Sequence, residues 1–395
     1  MNRRAVLAVT GSRADYGLMR PVFDSIAKSR DLSLQLLVTG MHLLPDFRDS
    51  LADVKSDAFG QIHIAPMLLA EEGGRAMAQS FSLATHGAAA CLEEVCPDIV
   101  LVQGDRGEML AATIAATHMN MPVVHMSGGD LTGTIDQSLR NAISMFAHIH
   151  LTTCNSSSLR LQTVRGEPAE RIFQVGEPGL DAIRTMDFLP ADTLASELNL
   201  DLSQPLVVAT MHPVTTERDR SAAQMRQLLE ALDALRVQTV FTYPNSDAGS
   251  HEMIAVLESF RDRDWIRIVP TLGSRRYLSL LRVASAVVGN SSSALLEGPS
   301  FRLPAVNIGT RQHGRERAAN VIDVDNDRYQ IQNSISRALD GNFRHSLSAV
   351  KNPYGDGYAA DRTQRILSTV NLSPLLVSKW LPSDGSFVPE GWNEI

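Results

Sequence analysis

The sequence predicts an α/β protein built from two doubly wound, Rossmann-like domains. Short β-branched or leucine-rich runs alternate with longer segments of helical period along most of the chain, which is typical of βαβ units and parallel sheets. The length of 395 residues also exceeds the ~100–200 residues of a usual single domain. We therefore expect domains over residues 1–177 and 178–357, two similar halves that face a cleft.

Composition and charge narrow the class of protein. With 44% hydrophobic and 20% charged residues, the chain has the composition of an ordinary globular protein. A net charge of −8 argues against a nucleic-acid partner, because nucleic-acid surfaces carry a basic stripe. The apolar run near the N-terminus, AVLAV, is shorter than the ~7–15 residues of a secretion signal. No run approaches the ~20 residues of a membrane span, so we expect a cytoplasmic protein without a membrane partner.

Apolar runs predict the strands of both domains. In the first half these runs are AVLAVTG, SLQLLVTG, DIVLVQGD, PVVHMSGG, HIHLTTC and IFQVGEP, and in the second PLVVATMHP, QTVFTYPN, WIRIVP, AVVGNSSS and PAVNIG. The polar, helical segment from Pro178 to Ser203 is predicted to connect the domains. An amphipathic helix is expected at about 358–372, and the Pro-, Ser-, Gly- and Trp-rich residues 373–395 are expected to pack as an extended tail.

The common cofactor motifs are missing. A dinucleotide fingerprint needs three spaced glycines, whereas TGSRAD has one. No phosphate-binding loop ending in Gly-Lys-Ser/Thr occurs. His148 and His150 lie two residues apart but lack further ligands at metal spacing, so we favour a structural role for them. Neither a cofactor nor a metal is predicted.

The stretch GNSSSALLEG predicts an anion site in the second domain. It follows a strand and is expected to open a helix, which would place the N–H groups of Ser291, Ser292 and Ser293 at the positive helix end as a seat for a pyrophosphate. Glu297 falls about one turn into that helix, within reach of a ribose. The alternative is a serine N-cap followed by an ordinary helical glutamate.

Other strand-end loops carry charged side chains. Asp105 and Arg106 lie in QGDRGE, Asp130 and Asp136 lie in SGGDLTGTIDQSLR, and His212 precedes a proline in MHPVTTE. Each could instead cap a helix, hold a turn or satisfy a local hydrogen bond. Because all of these loops fall on the same predicted side of the sheets, a shared ligand site is favoured over separate structural roles.

Nine motifs, spread over roughly residues 6–357, together resemble one family. They are TGSRADYG, TGMH, QGDR, GGDLTGTIDQSLR, HPVTTE, YPNSDAGS, GNSSS, NIGTRQHGRE and YGDG. In this order they closely resemble the hydrolysing UDP-N-acetylglucosamine 2-epimerases, which have the glycosyltransferase-B fold. The resemblance implies that the substrate lies in the interdomain cleft and that the last helix crosses back onto the N-terminal domain. It also implies a homodimer or homotetramer.

The resemblance implies a reaction without a cofactor. The family converts a UDP-activated 2-acetamido sugar and water to the free 2-epimeric sugar and UDP, as an opening step of sialic-acid-like sugar synthesis. UDP leaves C1 as the C2 proton is lost, and water then adds to the resulting 2-acetamidoglycal. Such a reaction needs cations at the departing diphosphate and acid/base groups near C1 and C2.

Site residues follow from the matched motifs. The resemblance implies a diphosphate contact for Arg13 and a loop-orienting role for Asp15. His42 matches a position near the sugar. The acidic positions proposed for proton traffic match Asp105, Asp130 and Asp136. The positions around the nucleotide match His212, Asn290, Ser291, Ser292, Glu297, Arg311 and Arg315.

Two departures from the family pattern lie on the sugar side. Relatives commonly read GGE where this chain has GGD, so Asp130 is one methylene shorter, and DDSIRH where it has DQSLRN. We predict UDP-N-acetylglucosamine as the substrate and N-acetylmannosamine as the product, with the two departures as drift within one activity. The alternative is a 2,4-diacetamido-2,4,6-trideoxy sugar, whose bulkier C4 group would favour a shorter side chain. A glycosyltransferase of this fold, an inactive nucleotide-sugar sensor and a non-hydrolysing epimerase are the rival hypotheses.

Overall fold

The computed structural model describes residues 3–45, 48–71, 73–131, 136–245, 247 and 249–372. The chain divides into two compact units, of which the first runs to Ala182 and resumes at Tyr354, and the second spans Ile183–Pro353. Among the residues described, no helix has the length and apolar character needed to cross a membrane. The predicted tail over residues 373–395 lies outside these ranges.

The first unit is built on a parallel sheet of seven strands. These are β1 (Arg4–Thr10), β2 (Leu32–Val38), β3 (Gln61–Ile64), β4 (Ile99–Gln103), β5 (Val123–Met126), β6 (Ile149–Thr152) and β7 (Ile172–Gln174). Their order is β3-β2-β1-β4-β5-β6-β7, so the winding reverses between β1 and β4. Open α/β sheets bind ligands beside such a reversal, at the carboxyl ends of the strands.

Helices cover both faces of this sheet. They are α1 (Arg13–Lys28), α2 (Arg48–Asp57), α3 (Gly74–Val95), α4 (Gly107–His118), α5 (Asp136–Phe146) and α6 (Asn155–Arg165), with α7 (Gly179–Thr185) at the boundary of the unit. Helix α1 begins where it does because the Ser12 side chain caps it by accepting a hydrogen bond from the Asp15 N–H. Its apolar stripe, which includes Met19, Phe23 and Ile26, is buried against the sheet.

The chain returns to the first unit in its last described helix. This helix, α15, spans Ala359–Thr369, and its Ile366 and Leu367 are buried in the core of the first unit. The Asp181 carboxylate caps it by accepting hydrogen bonds from the N–H groups of Ala359 at 2.9 Å and Ala360 at 2.7 Å. The returning segment is thus an integral part of the first unit.

The second unit repeats the plan with six parallel strands. These are β8 (Leu206–Thr210), β9 (Gln238–Thr242), β10 (Ile266–Val269), β11 (Ala286–Gly289), β12 (Ala305–Ile308) and β13 (Val321–Val324), in the order β10-β9-β8-β11-β12-β13. The helices are α8 (Ala191–Leu198), α9 (Ser221–Leu235), α10 (Ser250–Glu258), α11 (Gly273–Val283), α12 (Ser293–Leu296), α13 (Arg328–Leu339) and α14 (Gly341–Ser346). The predicted class, two parallel-sheet Rossmann-like domains, is confirmed.

Two strands escaped the sequence prediction. β3 and β13 form the outer edge of their sheets, and most of their residues are only partly buried. These two strands lack a continuous apolar run, because their side chains are partly open to solvent. The eleven strands that the apolar runs predict are all present.

Candidate active site

Asp15 sits in a pocket of donors at the end of β1. Its carboxylate accepts hydrogen bonds from the hydroxyls of Thr10 and Ser12, the latter at 2.6 Å, and from the Gly11 N–H at 3.2 Å. The residue is only 5% exposed. Burial raises the pKa of the Asp15 carboxyl, against the hydrogen bonds from Ser12 and Thr10 that lower it. Asp15 therefore shapes the loop that carries Arg13.

His42 joins this network from the short 3₁₀ helix Gly40–Leu43. Its Nε2 lies 2.9 Å from the Thr10 hydroxyl, and its Nδ1 lies 2.7 Å from the hydroxyl of Ser50. Because the Thr10 hydroxyl donates to the Asp15 carboxylate, it accepts from His42, which assigns the imidazole proton to Nε2. Burial lowers the pKa of His42 to about 4, so the ring is neutral at neutral pH.

Glu108 is a site residue that sequence reasoning missed. It lies in the first turn of α4, is 5% exposed, and accepts a hydrogen bond from Arg106 Nε at 2.5 Å. Its carboxylate fills the space beside Gly11, where a Cβ atom would come within 1.9 Å of Glu108 Oε1. The signal was the one acidic residue in a mainly apolar helix, GEMLAATIAATH. Arg106 and Glu108 thus bring opposite charges next to the Asp15 loop.

Asp105 is held by an arginine from α5. Arg140, itself 7% exposed, pairs with the Asp105 carboxylate and donates from Nη1 to the Ser127 carbonyl at 2.6 Å. This guanidinium connects the loops that follow β4 and β5. The sequence DQSLRN does not by itself indicate this role for Arg140.

The Asp130 carboxylate is hydrogen-bonded to side chains at the start of α6. Its Oδ1 accepts hydrogen bonds from the hydroxyls of Thr153 at 2.8 Å and Ser157 at 2.5 Å. Asp136 is the first residue of α5, and the loop residues 132–135 before it lie outside the described ranges. The structure therefore places Asp105, Asp130 and Asp136 on the loops and helix that follow neighbouring strands β4 and β5 of one sheet.

Arg13 differs from these groups in being exposed. It opens α1, and 77% of its side chain is accessible to solvent. Its Nη2 lies 3.6 Å from Asp53 Oδ2, and Asp53 is itself 53% exposed. A loose, solvated pair of this kind leaves the guanidinium able to turn toward an anion.

In the second unit, His212 and Asn290 lock two strand ends together. Asn290 is 1% exposed, its Oδ1 accepts from the His212 N–H at 2.7 Å, and its Nδ2 donates to the His212 carbonyl at 2.8 Å. The His212 Nδ1 accepts from the Asn245 N–H at 2.9 Å, so its ring proton is on Nε2. Burial and the charge of Arg311 lower the pKa of His212 to about 4, so this ring is a neutral donor.

Arginines approach the same strand ends. Arg311 Nη1 donates to the Asn290 carbonyl at 3.2 Å, and Gln312 Nε2 donates to the same oxygen at 2.8 Å. Burial and the neighbouring Arg315 charge lower the pKa of Arg311. Two partly buried cations next to a neutral imidazole form a surface suited to a polyphosphate.

The GNSSS loop differs from the prediction in one respect. Helix α12 is a single turn that passes into a 3₁₀ turn over Gly298–Phe301, so it lacks the length that the predicted helix dipole requires. Ser291 and Ser292 are partly exposed at the loop. Gly289 is required there, because a Cβ atom would lie 1.9 Å from the Thr210 carbonyl oxygen. Any anion seat here depends on local N–H and hydroxyl groups.

Glu297 ends this turn with a shielded oxygen. Its Oε2 is closed off from solvent and has no hydrogen-bond partner within the part of the chain that the structure describes. Burial raises the pKa of the Glu297 carboxyl. A shielded acceptor of this kind is suited to a hydroxyl donor such as a ribose.

The two histidines assigned a structural role lie at the start of β6. His148 Nδ1 accepts from the Val123 N–H at 3.0 Å, and His150 Nε2 lies 3.2 Å from the buried Glu167. Across the described ranges, no group of three or more His, Cys, Asp and Glu side chains is placed to hold a metal ion.

Comparison with known proteins identifies the family. Residues 24–368 match the sequence profile described as UDP-N-acetylglucosamine 2-epimerase. The chain belongs to this family. It is 38% identical over 377 residues to UDP-N,N'-diacetylbacillosamine 2-epimerase (hydrolyzing) from Legionella pneumophila, covering 95% of this chain and 98% of that protein. It is 34% identical over 329 residues to GDP/UDP-N,N'-diacetylbacillosamine 2-epimerase (hydrolyzing) from Campylobacter jejuni, covering 82% of this chain and 85% of that protein.

Solved structures agree on the epimerase fold. The crystal structure of UDP-GlcNAc 2-epimerase from Neisseria meningitidis bound to UDP-GlcNAc has a TM-score of 0.74 at 18% identity, covering 91% of this chain and 98% of that chain. At this identity the likeness concerns the fold alone, which is of the glycosyltransferase-B type. Because its relatives are UDP-sugar 2-epimerases, hydrolysing types among them, this chain is an enzyme of the UDP-N-acetylglucosamine 2-epimerase family.

Proposed function

We propose that this chain is a hydrolysing 2-epimerase that converts a UDP-linked 2-acetamido sugar and water to the free 2-epimeric sugar and UDP. The C2 proton is lost as the C1–O bond to UDP breaks, which gives a 2-acetamidoglycal. Water then adds to C1, and a proton returns to the opposite face of C2. The observation that carries this proposal is the set of carboxylates Asp105, Asp130 and Asp136 after neighbouring strands of one sheet.

We assign the proton transfers to the first unit. Proton removal at C2, proton return and activation of water each need an acid or base group within hydrogen-bond reach. Asp105, Asp130 and Asp136 are the candidates, and His42 is assigned to the sugar. Asp15 orients the Arg13 loop, and Arg13 stabilises the departing diphosphate.

We assign UDP binding to the second unit. His212 donates as a neutral imidazole, while Arg311 and Arg315 offset the charge of the diphosphate. The GNSSS loop contributes Asn290, Ser291 and Ser292 beside the phosphates, and Glu297 accepts from the ribose. This division gives one unit the acid/base chemistry and the other the leaving group.

For the sugar we propose the 2,4-diacetamido-2,4,6-trideoxy sugar of UDP-N,N'-diacetylbacillosamine. Two relatives, at 38% and 34% identity, carry this activity in their names. In this chain the short Asp130 side chain is drawn onto Thr153 and Ser157, which withdraws it from the space that a longer glutamate would occupy. That space suits a bulky C4 acetamido group. UDP-N-acetylglucosamine, the substrate in the family's description, is the second candidate.

Turnover in D2O tests the reaction. Purified protein is incubated with each of the two sugar nucleotides, and released UDP is quantified while the sugar is analysed by NMR and mass spectrometry. We expect free 2-epimeric sugar with deuterium at C2. A product without deuterium supports a glycosyltransferase-like reaction, and a product still attached to UDP supports a non-hydrolysing epimerase. UDP binding without release of UDP supports a sensor.

Asp130→Glu tests the sugar. If Asp130 makes room for the C4 group, the longer side chain should lower kcat/KM for the diacetamido sugar about 10–100-fold while raising it for UDP-N-acetylglucosamine, because a shift of about 1 Å near the reacting atoms is costly. The matched control is Asp264→Glu, an exposed residue of the second unit that should change neither value. Equal losses on both sugars would contradict the assignment.

A further inference from the structure

We propose that Arg140 is a positioning residue, which together with Ser144 and His125 fixes Asp105 in its catalytic orientation. The proposal deepens the proposed function, on which it rests. Helix α5 then holds the loop that follows β4, a role that the sequence motifs do not indicate.

One face of α5 carries Asp136, Arg140 and Ser144. Asp136, Arg140 and Ser144 follow one another at intervals of four, and residues at this spacing are neighbours on a helix surface. Arg140 and Ser144 are buried, at 7% and 1% exposure. The face that presents the candidate acid Asp136 is therefore also the face that contacts the Asp105 loop.

Arg140 holds the Asp105 side chain. One nitrogen of its guanidinium pairs with the Asp105 carboxylate, and the other donates to the Ser127 carbonyl at 2.6 Å. A buried guanidinium is costly unless its donors are used, and its planar fork directs two of them at fixed angles. A lysine ammonium is a point charge on a flexible stem and cannot reproduce this bridge in the same geometry.

His125 holds the backbone of the same loop. Its Nε2 lies 2.7 Å from the Gly104 carbonyl, which only accepts hydrogen bonds, so Nε2 carries the proton. Its Nδ1, 3.0 Å from the Ser144 hydroxyl, then accepts. The ring is fully buried, and burial lowers the pKa of His125 to about 3, which keeps it in this neutral form. Gly104, directly before Asp105, is thereby linked to α5.

The two sets of hydrogen bonds fix both the side chain of Asp105 and the backbone directly before it. Arg140 fixes the carboxylate of Asp105, and the Ser144–His125 pair fixes the carbonyl that precedes it. Since Asp136 begins the same helix, the two candidate acids are held relative to each other by α5. Proton transfer is sensitive to displacements of about 1 Å, so loss of either connection should slow the chemical step more than it weakens binding.

The test is a double-mutant cycle on the full chain, measured by UDP release. Arg140→Lys should lower kcat about 10–100-fold with KM changed less than about 3-fold, because the group acts in the chemical step. In an Asp105→Asn background, Arg140→Lys should cost less than about 2-fold, since the carboxylate it positions is already gone. Losses that multiply in the double variant, or an unchanged kcat in Arg140→Lys, would overturn the proposal.

Two further variants separate positioning from folding. Arg171→Lys replaces a buried arginine, 1% exposed, next to β7 at the amino end of the sheet, and should lower thermal stability without changing kcat. Ser144→Ala leaves Arg140 in place and should lower kcat about 3–10-fold, also without an additional effect in the Asp105→Asn background. Equal kcat losses in Arg171→Lys and Arg140→Lys would overturn the proposal. A wild-type protein that releases no UDP would overturn the proposed function and this inference with it.

Discussion

The strand ends of the two units carry opposite chemistry. In the first unit the polar groups at the strand ends include two buried carboxylates, those of Asp15 and Glu108, each 5% exposed. In the second they are the Asn290 amide, the neutral His212 ring and the guanidinium of Arg311. Similar parallel sheets therefore support acid/base groups in one case and an anion-binding surface in the other. The chemistry resides in the loops, and the sheet supplies their positions.

The units also differ in how they satisfy these groups. Carboxylates of the first unit accept from side-chain donors, as Asp130 does from Thr153 and Ser157. In the second unit, a side-chain amide pairs with backbone groups as a neighbouring strand would. The Asn290 amide accepts from the His212 N–H and donates to the His212 carbonyl. Loss of an acceptor whose donors are hydroxyls leaves groups that can turn to other partners. Loss of the amide leaves two backbone groups fixed and unpaired.

The largest expected effect in this comparison is that of Asn290→Ala. The substitution leaves the His212 N–H and carbonyl unsatisfied in a partly buried site, which should lower the free energy of unfolding of the second unit by about 2–4 kcal/mol. The loop that carries Ser291 should lose its position at the same time. Urea unfolding measures the stability, and calorimetric titration with UDP measures the affinity, which we expect to fall at least about 10-fold.

Asn307→Ala is the matched control for that variant. Asn307 is a buried asparagine on β12 of the same sheet, but its Nδ2 donates to Asp323, which is 50% exposed and can be solvated when the amide is lost. We expect a loss of about 1 kcal/mol and no change in UDP affinity. Equal effects of the two variants would contradict the special role of the Asn290 bridge.

Apolar runs predicted eleven of the thirteen described strands, the edge strands β7 and β10 among them. The edge strands β3 and β13 were not predicted, because their sequences, QIHI and VIDV, mix polar and apolar residues. Their formation depends on pairing with β2 and β12. A local pattern does not contain that tertiary contribution.

Candidate site residues could be predicted only where a residue type stands out in its loop. Asp105, Asp130 and His212 are polar residues at strand ends and are predicted for that reason. Glu108 and Arg140 lie within helices, where a charged residue usually indicates a solvated face. Glu108 left a weak signal as the one acidic residue of its helix, whereas Arg140 left none. The burial of both follows from packing against the Asp15 and Asp105 loops, which a local pattern does not show.

An intermediate effect is expected from the titration of His42. Its pKa is about 4 in the folded chain against about 6.5 in the unfolded chain, so between these values the unfolded state binds more protons. Stability is therefore retained above pH 6.5 and lost as the pH falls toward 4. By pH 5 the loss attributable to His42 should be about 1–2 kcal/mol. Urea unfolding of the wild type and of His42→Gln at pH 7 and pH 5 measures it, with a smaller decrease expected in the variant.

His86→Gln, an exposed position on α3, is the control for this experiment. The decrease between pH 7 and pH 5 should match that of the wild type. His212→Gln extends the comparison to the second unit, where the direction should be the same, because the pKa of His212 is also lowered to about 4. A decrease that is unchanged in both His42→Gln and His212→Gln would show that neither ring is held neutral by its unit.

The smallest effect should come from Asp53→Ala, which removes the ion pair of Arg13. Both side chains are more than half exposed and their charged atoms are 3.6 Å apart, so the pair is screened and should contribute less than about 0.5 kcal/mol to folding. Turnover should also change little, since Arg13 is then free to face the diphosphate.

Arg13→Ala should leave stability equally unaffected but lower kcat about 100-fold, because the charge of Arg13 matters most when the diphosphate carries its full negative charge. Similar turnover in Arg13→Ala and Asp53→Ala would contradict the role of Arg13 and leave stabilisation of the departing diphosphate to the arginines of the second unit alone. The first unit would then supply only the acid/base groups.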